Sequence, residues 1–216
     1  MSIALVPVKR LEQSKSRLLS HLPDPRRQAL TLAMLADLLE ALLDSRGLDR
    51  VAVTTPDAVV ASLARSAGAE VLMRPEPGLN EALEDAIGRL DPGPDEPFMI
   101  VLGDVAGALA SDFETLLASM RETEGPAVWL APSSDGGTSA LLQRPATAIP
   151  CRFGRDSAKR HRDAAQAAGV AYHEVRLASL AIDLDEPEDL EAFLRTQAGG
   201  GRTRALLEDV RRGSAE

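Results

Sequence analysis

The chain has 216 residues, the size of one ordinary α/β domain. Its 24 Lys and Arg against 33 Asp and Glu leave a formal charge of −9, and only 3% of residues are aromatic, which argues against a nucleic-acid partner. One cysteine and three scattered histidines exclude an internal disulfide and a four-ligand Cys/His zinc site, and no apolar stretch reaches the roughly 18 residues needed to cross a bilayer.

In chain order, strand and helix signals alternate. Ile3 to Val8 is a short apolar run that suits a buried strand. Asp24-Pro25 supplies a cap and first turn, and Arg26 to Leu43 follows as a helix with Leu30, Met34, Leu38 and Leu42 four apart. Arg50 to Thr54 reads as a strand, Asp57 to Ala67 as a helix closed by Gly68, and Glu70 to Met73 as a short strand. Asn80 to Leu90 is a predicted helix, and Phe98 to Leu102 is the most strand-like segment of all. Then come a helix at 112–121, strands at 127–131 and 139–143, a helix at 156–168 ending at Gly169, strands at 172–176 and 179–182, and a helix at 188–196.

This order implies an α/β fold, a three-layer α/β/α arrangement around a mostly parallel sheet whose ligands sit beyond the carboxyl ends of the strands. Residues 1–197 are expected to form a single domain. Gly199-Gly200-Gly201 is expected to unhook residues 198–216 as a flexible tail, with at most a loose helix at 202–212. The expected location is the cytoplasm, with no membrane partner; the oligomeric state is left open.

Five segments fall just after predicted strands. The first, Lys9 to Leu18, offers Lys9, Lys15, Ser16 and Arg17 as ligands for a polyphosphate, with a solvated cationic loop as the equal alternative. The second is Gly103-Asp104: a carboxylate at the tip of a central strand can hold Mg²⁺ and Gly103 lets a ligand approach, whereas a turn cap is the plainer role. The third, Ser133 to Thr138, is either an anion nest or a simple hairpin turn. The fourth, Phe153-Gly154-Arg155-Asp156-Ser157, opens a helix whose free N–H groups attract anions, unless Asp156 merely caps it. In the fifth, Asp183 and Asp185 lie on one side of an extended strand end and can share a divalent cation, while Glu188 and Asp189 suit the first turn of a helix. No Ser-His-Asp set, Cys-His pair or GxGxxG is present, which leaves cation-assisted phosphoryl or nucleotidyl chemistry.

Taken together the segments resemble the CofC/FbiD family of guanylyltransferases, in the nucleotidyltransferase branch of the GT-A-like fold. The matching motifs are Val6-Pro7-Val8-Lys9 with Ser14-Lys15-Ser16-Arg17-Leu18, Gly78-Leu79-Asn80, Asp135-Gly136-Gly137-Thr138, Phe153-Gly154 with Ser157 and His161, and Ser179 to Leu190. They run in order over roughly residues 3 to 194. The resemblance implies transfer of GMP from GTP to a small phosphorylated acid (2-phospho-L-lactate, phosphoenolpyruvate or 3-phosphoglycerate) with release of pyrophosphate, in coenzyme F-420 assembly. It implies that Lys9, Lys15, Ser16 and Arg17 hold the GTP phosphates, with Gly78 and Asn80 near the nucleoside. Lys15, Arg17 and Asp104 would carry catalysis. Asp104 with Asp183 or Asp185 would bind Mg²⁺, and Thr138, Gly154 and Ser157 would hold the acceptor. Where the family has Leu-Pro after its Gly-Asp, this chain has Val105-Ala106-Gly107-Ala108. That departure keeps a second reading open: a nucleotide- or phosphoacid-binding protein on the same fold without turnover.

Overall fold

The computed structural model describes residues 1–15, 18, 22–74, 78–182, 184–196 and 198–213. Among them, seven strands form one sheet: β1 (Ile3–Pro7), β2 (Arg50–Thr55), β3 (Glu70–Met73), β4 (Phe98–Val101), β5 (Ala127–Pro132), β6 (Thr138–Arg144) and β7 (Ala171–Glu174). The helices are α1 (Asp24–Leu43), α2 (Ala58–Ala67), α3 (Leu79–Leu90), α4 (Ala110–Arg121), α5 (Ser157–Ala168), α6 (Pro187–Arg195) and α7 (Gly201–Gly213). The strand order is β3-β2-β1-β4-β6-β5-β7. All neighbours run parallel except β6, which is antiparallel to both β4 and β5.

The period-two alternation of side chains along a strand sorts the core into two layers. Ala4 and Val6 of β1, Met99 and Val101 of β4 and Trp129 of β5 pack beneath α1, α2 and α4, through Leu38, Val60 and Phe113 among others. Ile3, Leu5, Ile100 and Leu130 face the opposite way, under Leu83 and Ile87 of α3 and Ala165 of α5. Because both faces are covered, β1 and β4 are apolar at almost every position.

Helix ends follow from local chemistry. The Asp57 carboxylate accepts the N–H groups of Val59 and Val60 at the start of α2, and Gly68 closes that helix at φ +98°. Asp189, in the first turn of α6, accepts the N–H groups of Asp185 and Glu186. α5 behaves differently from expectation: Asp156 sits before it at φ +52° and makes no side-chain cap. Its first N–H groups are taken instead by backbone, Ser157 donating to Gly154 and Ala158 to Gly136 of the β5–β6 turn.

Two expectations change. Ser179 to Ile182 is no strand. Leu180 and Ala181 donate to Leu177 and Ala178 in tight turns, which let Leu180 enter the core while Ser179 donates to Asp112. The segment after Gly199 does not hang free. Residues 201–213 form α7, which packs along α1, with Leu207 joining Leu30, Met34, Ala106 and Phe193 in a third apolar cluster. Asp37 of α1 anchors it by accepting from the N–H and hydroxyl of Thr203 and the N–H of Arg202. The glycines serve close approach here. A Cβ at Gly200 would lie 2.3 Å from the Ala106 carbonyl oxygen, and one at Gly199 2.4 Å from that of Ala108.

Candidate active site

A cavity of about 630 Å³ opens where β1, β2 and β4 end, at Pro7-Val8-Lys9, Thr54-Thr55 and Leu102-Gly103-Asp104. The parallel register puts Pro7 beside Thr54 and Leu5 beside Ile100, so the three strand ends form one rim. Gly103 packs closely on the end of β1: a Cβ there would lie 3.1 Å from Val8 Cγ2 and 3.2 Å from the Pro7 carbonyl oxygen. Gly103 itself also lines the cavity.

Lys15 reaches into this cavity from the loop after β1. Its backbone is held at φ +52° and its side chain is only 5% exposed. The ammonium donates to Asp185 Oδ1 at 2.9 Å and stands 3.8 Å from Asp104 Oδ2. One buried cation thus meets two carboxylates from remote parts of the chain, an arrangement that offsets the cost of taking the ammonium out of water. The loop is fixed from behind. Arg27 of α1, itself buried, donates to the Ser14 carbonyl at 2.7 Å and pairs with Asp24, and Thr31 donates to Ser14 Oγ at 2.9 Å. Arg74 adds a third cation to the cavity wall, beside Lys9 and Lys15, held by the Glu81 carbonyl at 3.0 Å and Asp85 at 3.5 Å. Thr54 Oγ1, also in the wall, is buried without a hydrogen-bond partner among the described residues.

The segment implied to hold the acceptor lies beside this rim. Leu102 N–H donates to the Ser139 carbonyl, which extends the β4–β6 register and sets Thr138 level with Gly103. Ser157 Oγ lies 3.0 Å from Thr138 Oγ1, and His161 Nδ1 lies 3.1 Å from the same oxygen. All three side chains are buried. Asn80 fastens the loop ahead of α5: its amide accepts from Phe153 N–H at 2.8 Å and donates to the Phe153 carbonyl at 3.3 Å.

Lys9, Lys15, Gly78, Asp104 and Asp185 therefore surround one cavity. Ser16, Arg17 and Asp183 lie outside the described residues. Asn80 commits both ends of its amide to the Phe153 backbone, and Thr138 and Ser157 turn to each other below the surface. Arg27, Arg74 and Thr54 escaped the sequence analysis. Arg74, followed by Pro-Glu-Pro and Gly-Leu-Asn, had the signal of a cation just after a strand, whereas Arg27 reads as an ordinary helix position. Cys151 offers no nucleophile, since burial pushes its thiol up to about 12. The loop at 105–108 is packed tightly: Val105 and Ala106 are buried and Gly199 N–H donates to the Gly107 carbonyl at 3.0 Å. Among the described residues no helix is long and apolar enough to cross a membrane.

Known proteins are similar to this chain along most of its length. A phosphoenolpyruvate guanylyltransferase of Sphaerobacter thermophilus is 39% identical over 194 residues, covering 88% of this chain and 91% of that protein. A 3-phospho-D-glycerate guanylyltransferase of Phenylobacterium zucineum is 36% identical over 215 residues, covering 98% and 97%. The crystal structure of a proposed nucleotide-diphospho-sugar transferase from Desulfovibrio desulfuricans superposes with a TM-score of 0.76 at 18% identity, over 98% of each chain, and so shares the fold. The profile of the family described as "Guanylyl transferase CofC like" matches residues 2–212. With the fold, the cationic loop after β1 and the relatives in agreement along nearly its whole length, the chain belongs to the CofC-like guanylyl transferases.

Proposed function

We propose that this protein transfers GMP from GTP to a small phosphorylated acid, releasing pyrophosphate, and that the product feeds coenzyme F-420 assembly. The observation that carries the reading is the Lys15 ammonium bracketed by Asp104 and Asp185 inside the cavity at the strand ends. The relatives' names point to phosphoenolpyruvate or 3-phospho-D-glycerate as the acceptor; 2-phospho-L-lactate is the third acid of the same shape. Both substrates are cytoplasmic metabolites, and we assign the reaction to the cytoplasm.

The triphosphate lies across the mouth of β1, where Lys9, Lys15 and Arg74 supply positive charge. Ser16 and Arg17 extend that set by resemblance, and Gly78 lies where the nucleoside enters. A phosphate oxygen of the acceptor attacks the α-phosphorus in line. The bond from the α-phosphorus to its bridging oxygen breaks, and pyrophosphate leaves with the electron pair. Lys15 and Arg17 neutralise the charge that grows on the departing group. The acceptor arrives with an ionised phosphate, so no protein nucleophile is needed. Two hard carboxylate oxygens converging on one cation fit Mg²⁺. Asp104 and Asp185 would hold it, with Asp183 as a further ligand by resemblance. A Mg²⁺ held there would supply positive charge to the phosphate oxygens. Thr138, Gly154 and Ser157 face the acceptor in this reading.

The test is mass spectrometry of products formed from GTP and Mg²⁺ with each of the three acids, with pyrophosphate release followed in parallel. A guanylylated acid together with pyrophosphate is expected. Tight GTP binding with neither product, for any of the three, overturns the reading.

A further inference from the structure

Under the first turn of α5 lies a row of polar side chains whose protons can be counted. His161 is fully buried, and its Nε2 is approached at 3.0 Å by the Arg152 backbone N–H. A backbone N–H can only donate, so Nε2 carries no proton. Burial, with Arg160 and Arg152 close by, holds the ring down at about 4, hence neutral at physiological pH. Its single proton therefore sits on Nδ1, and Thr138 Oγ1 at 3.1 Å must accept it.

Thr138 and Ser157 bring two hydroxyl protons to a contact of 3.0 Å that has room for one. Whichever hydroxyl donates across it, the other O–H points out of the row. Among the described residues neither hydroxyl has a further hydrogen-bond partner. The opposite tautomer would reverse the count. Thr138 would donate to Nδ1, Ser157 would donate to Thr138, and the pair would present lone pairs alone.

We propose that His161 is a positioning residue for the acceptor. By giving its only ring proton to Thr138, it makes the Thr138–Ser157 pair a net donor of one O–H, aimed at an acceptor oxygen that bears no hydrogen, of a carboxylate or a phosphate. The proposal rests on the reading that this pair receives the phosphorylated acid. It adds that selection here is for an anion oxygen over a hydroxyl. Asn80 and His161 then act on one loop from two sides, clasping Phe153 and Arg152 in turn.

Two substitutions separate the roles of the two ring nitrogens. In His161→Asn the amide reaches the place of Nδ1 and still donates to Thr138. In His161→Gln it reaches the place of Nε2, accepts from Arg152 N–H and leaves Thr138 without its donor. The KM of the acceptor is expected to rise about tenfold or more in His161→Gln, the scale of one hydrogen bond to a charged group. It should stay within about threefold of the parent in His161→Asn, with the GTP KM unchanged in both. Equal effects of the two variants, or a lowered melting temperature with an unchanged acceptor KM, overturn the proposal. Thr138→Val and Ser157→Ala, measured alongside, test the underlying reading: if both leave the acceptor KM unchanged, the acceptor does not bind at the pair and that reading fails first. Should either His161 variant fail to fold, ¹⁵N-histidine NMR of the parent decides. One ring that stays neutral between pH 5.5 and 8 with its proton on Nδ1 is expected, and a proton on Nε2 of that ring refutes it.

Discussion

Removing the Lys15 ammonium should damage catalysis and improve metal binding at once. The ammonium stands 2.9 Å from Asp185 and 3.8 Å from Asp104, so it occupies the space in which a divalent ion would meet both carboxylates. Two unit charges about 4 Å apart interact by about 1 kcal/mol in bulk water, and a doubly charged ion doubles that to about 2 kcal/mol. The site is partly screened, Asp104 and Asp185 being 33% and 37% exposed. That bulk-water figure is a floor if Lys15 stays in place, and an overestimate if it swings aside. Between these limits, Lys15→Met should bind Mn²⁺ at least about tenfold more tightly in the absence of nucleotide, since about 1.4 kcal/mol is a factor of ten. The same variant should transfer GMP poorly, with a raised GTP KM, a lowered kcat or both. Mn²⁺ binding is read from the free-ion EPR signal, with an Asp104→Asn control that should abolish the gain. Mn²⁺ affinity equal to or below the parent's would refute the reasoning, because the carboxylates would then not be sharing their cation site with Lys15.

Asp104→Asn should abolish turnover and leave the circular dichroism spectrum unchanged, because the side chain is a third exposed and its loss disturbs no core contact; near-parent turnover at limiting Mg²⁺ would remove it from the metal site. Asp37→Ala should destabilise the protein by about 3 kcal/mol, since the N–H groups of Arg202 and Thr203 and the Thr203 hydroxyl lose the carboxylate that accepts them, and hydrogen exchange should quicken first in α7. His161 should give an acid-side loss of stability. Its folded value of about 4 lies below the ordinary 6.5, so the stabilisation is present above pH 6.5 and is lost as pH falls towards 4, on the order of 3 kcal/mol in all. The melting temperature of His161→Asn should vary less over that range than the parent's.

Much of the site was legible because its parts follow strands. A buried strand announces itself by an unbroken apolar run, and Lys9, Lys15 and Asp104 stand just past two such runs that pair in the sheet. Hydrogen bonds between distant segments left no local trace. Asn80 looks like a ligand-binding amide, but it satisfies the backbone of Phe153, 73 positions away. Arg27 lies on a helix face that reads as solvent, yet it is buried under the loop that carries Lys15. Ser179 to Ile182 has strand-like composition, yet its N–H groups turn back to Leu177 and Ala178 and its Ala181 carbonyl accepts from Ser134 of the β5–β6 turn. The glycines at 199–201 were read for their freedom alone, whereas the contacts with Ala108 and Ala106 also require Gly199 and Gly200 to be small.

That contact also sets an order of events. The loop following Asp104 is walled by Gly199 and Gly200, which are made some 90 residues later. At roughly 5–20 residues per second, several seconds of synthesis separate the two. Through that interval the sheet can assemble from β1, β2 and β4, but the Asp104 loop lacks its floor. A chain halted before Gly199 would carry the cavity at the strand ends without the backbone that packs on the loop after Asp104. The two ends of the chain are unequal as places to attach anything: Met1 sits at the start of β1, remote from the strand ends that bear the cavity, whereas α7 is tied through Gly199 and Gly200 to the loop that aims Asp104.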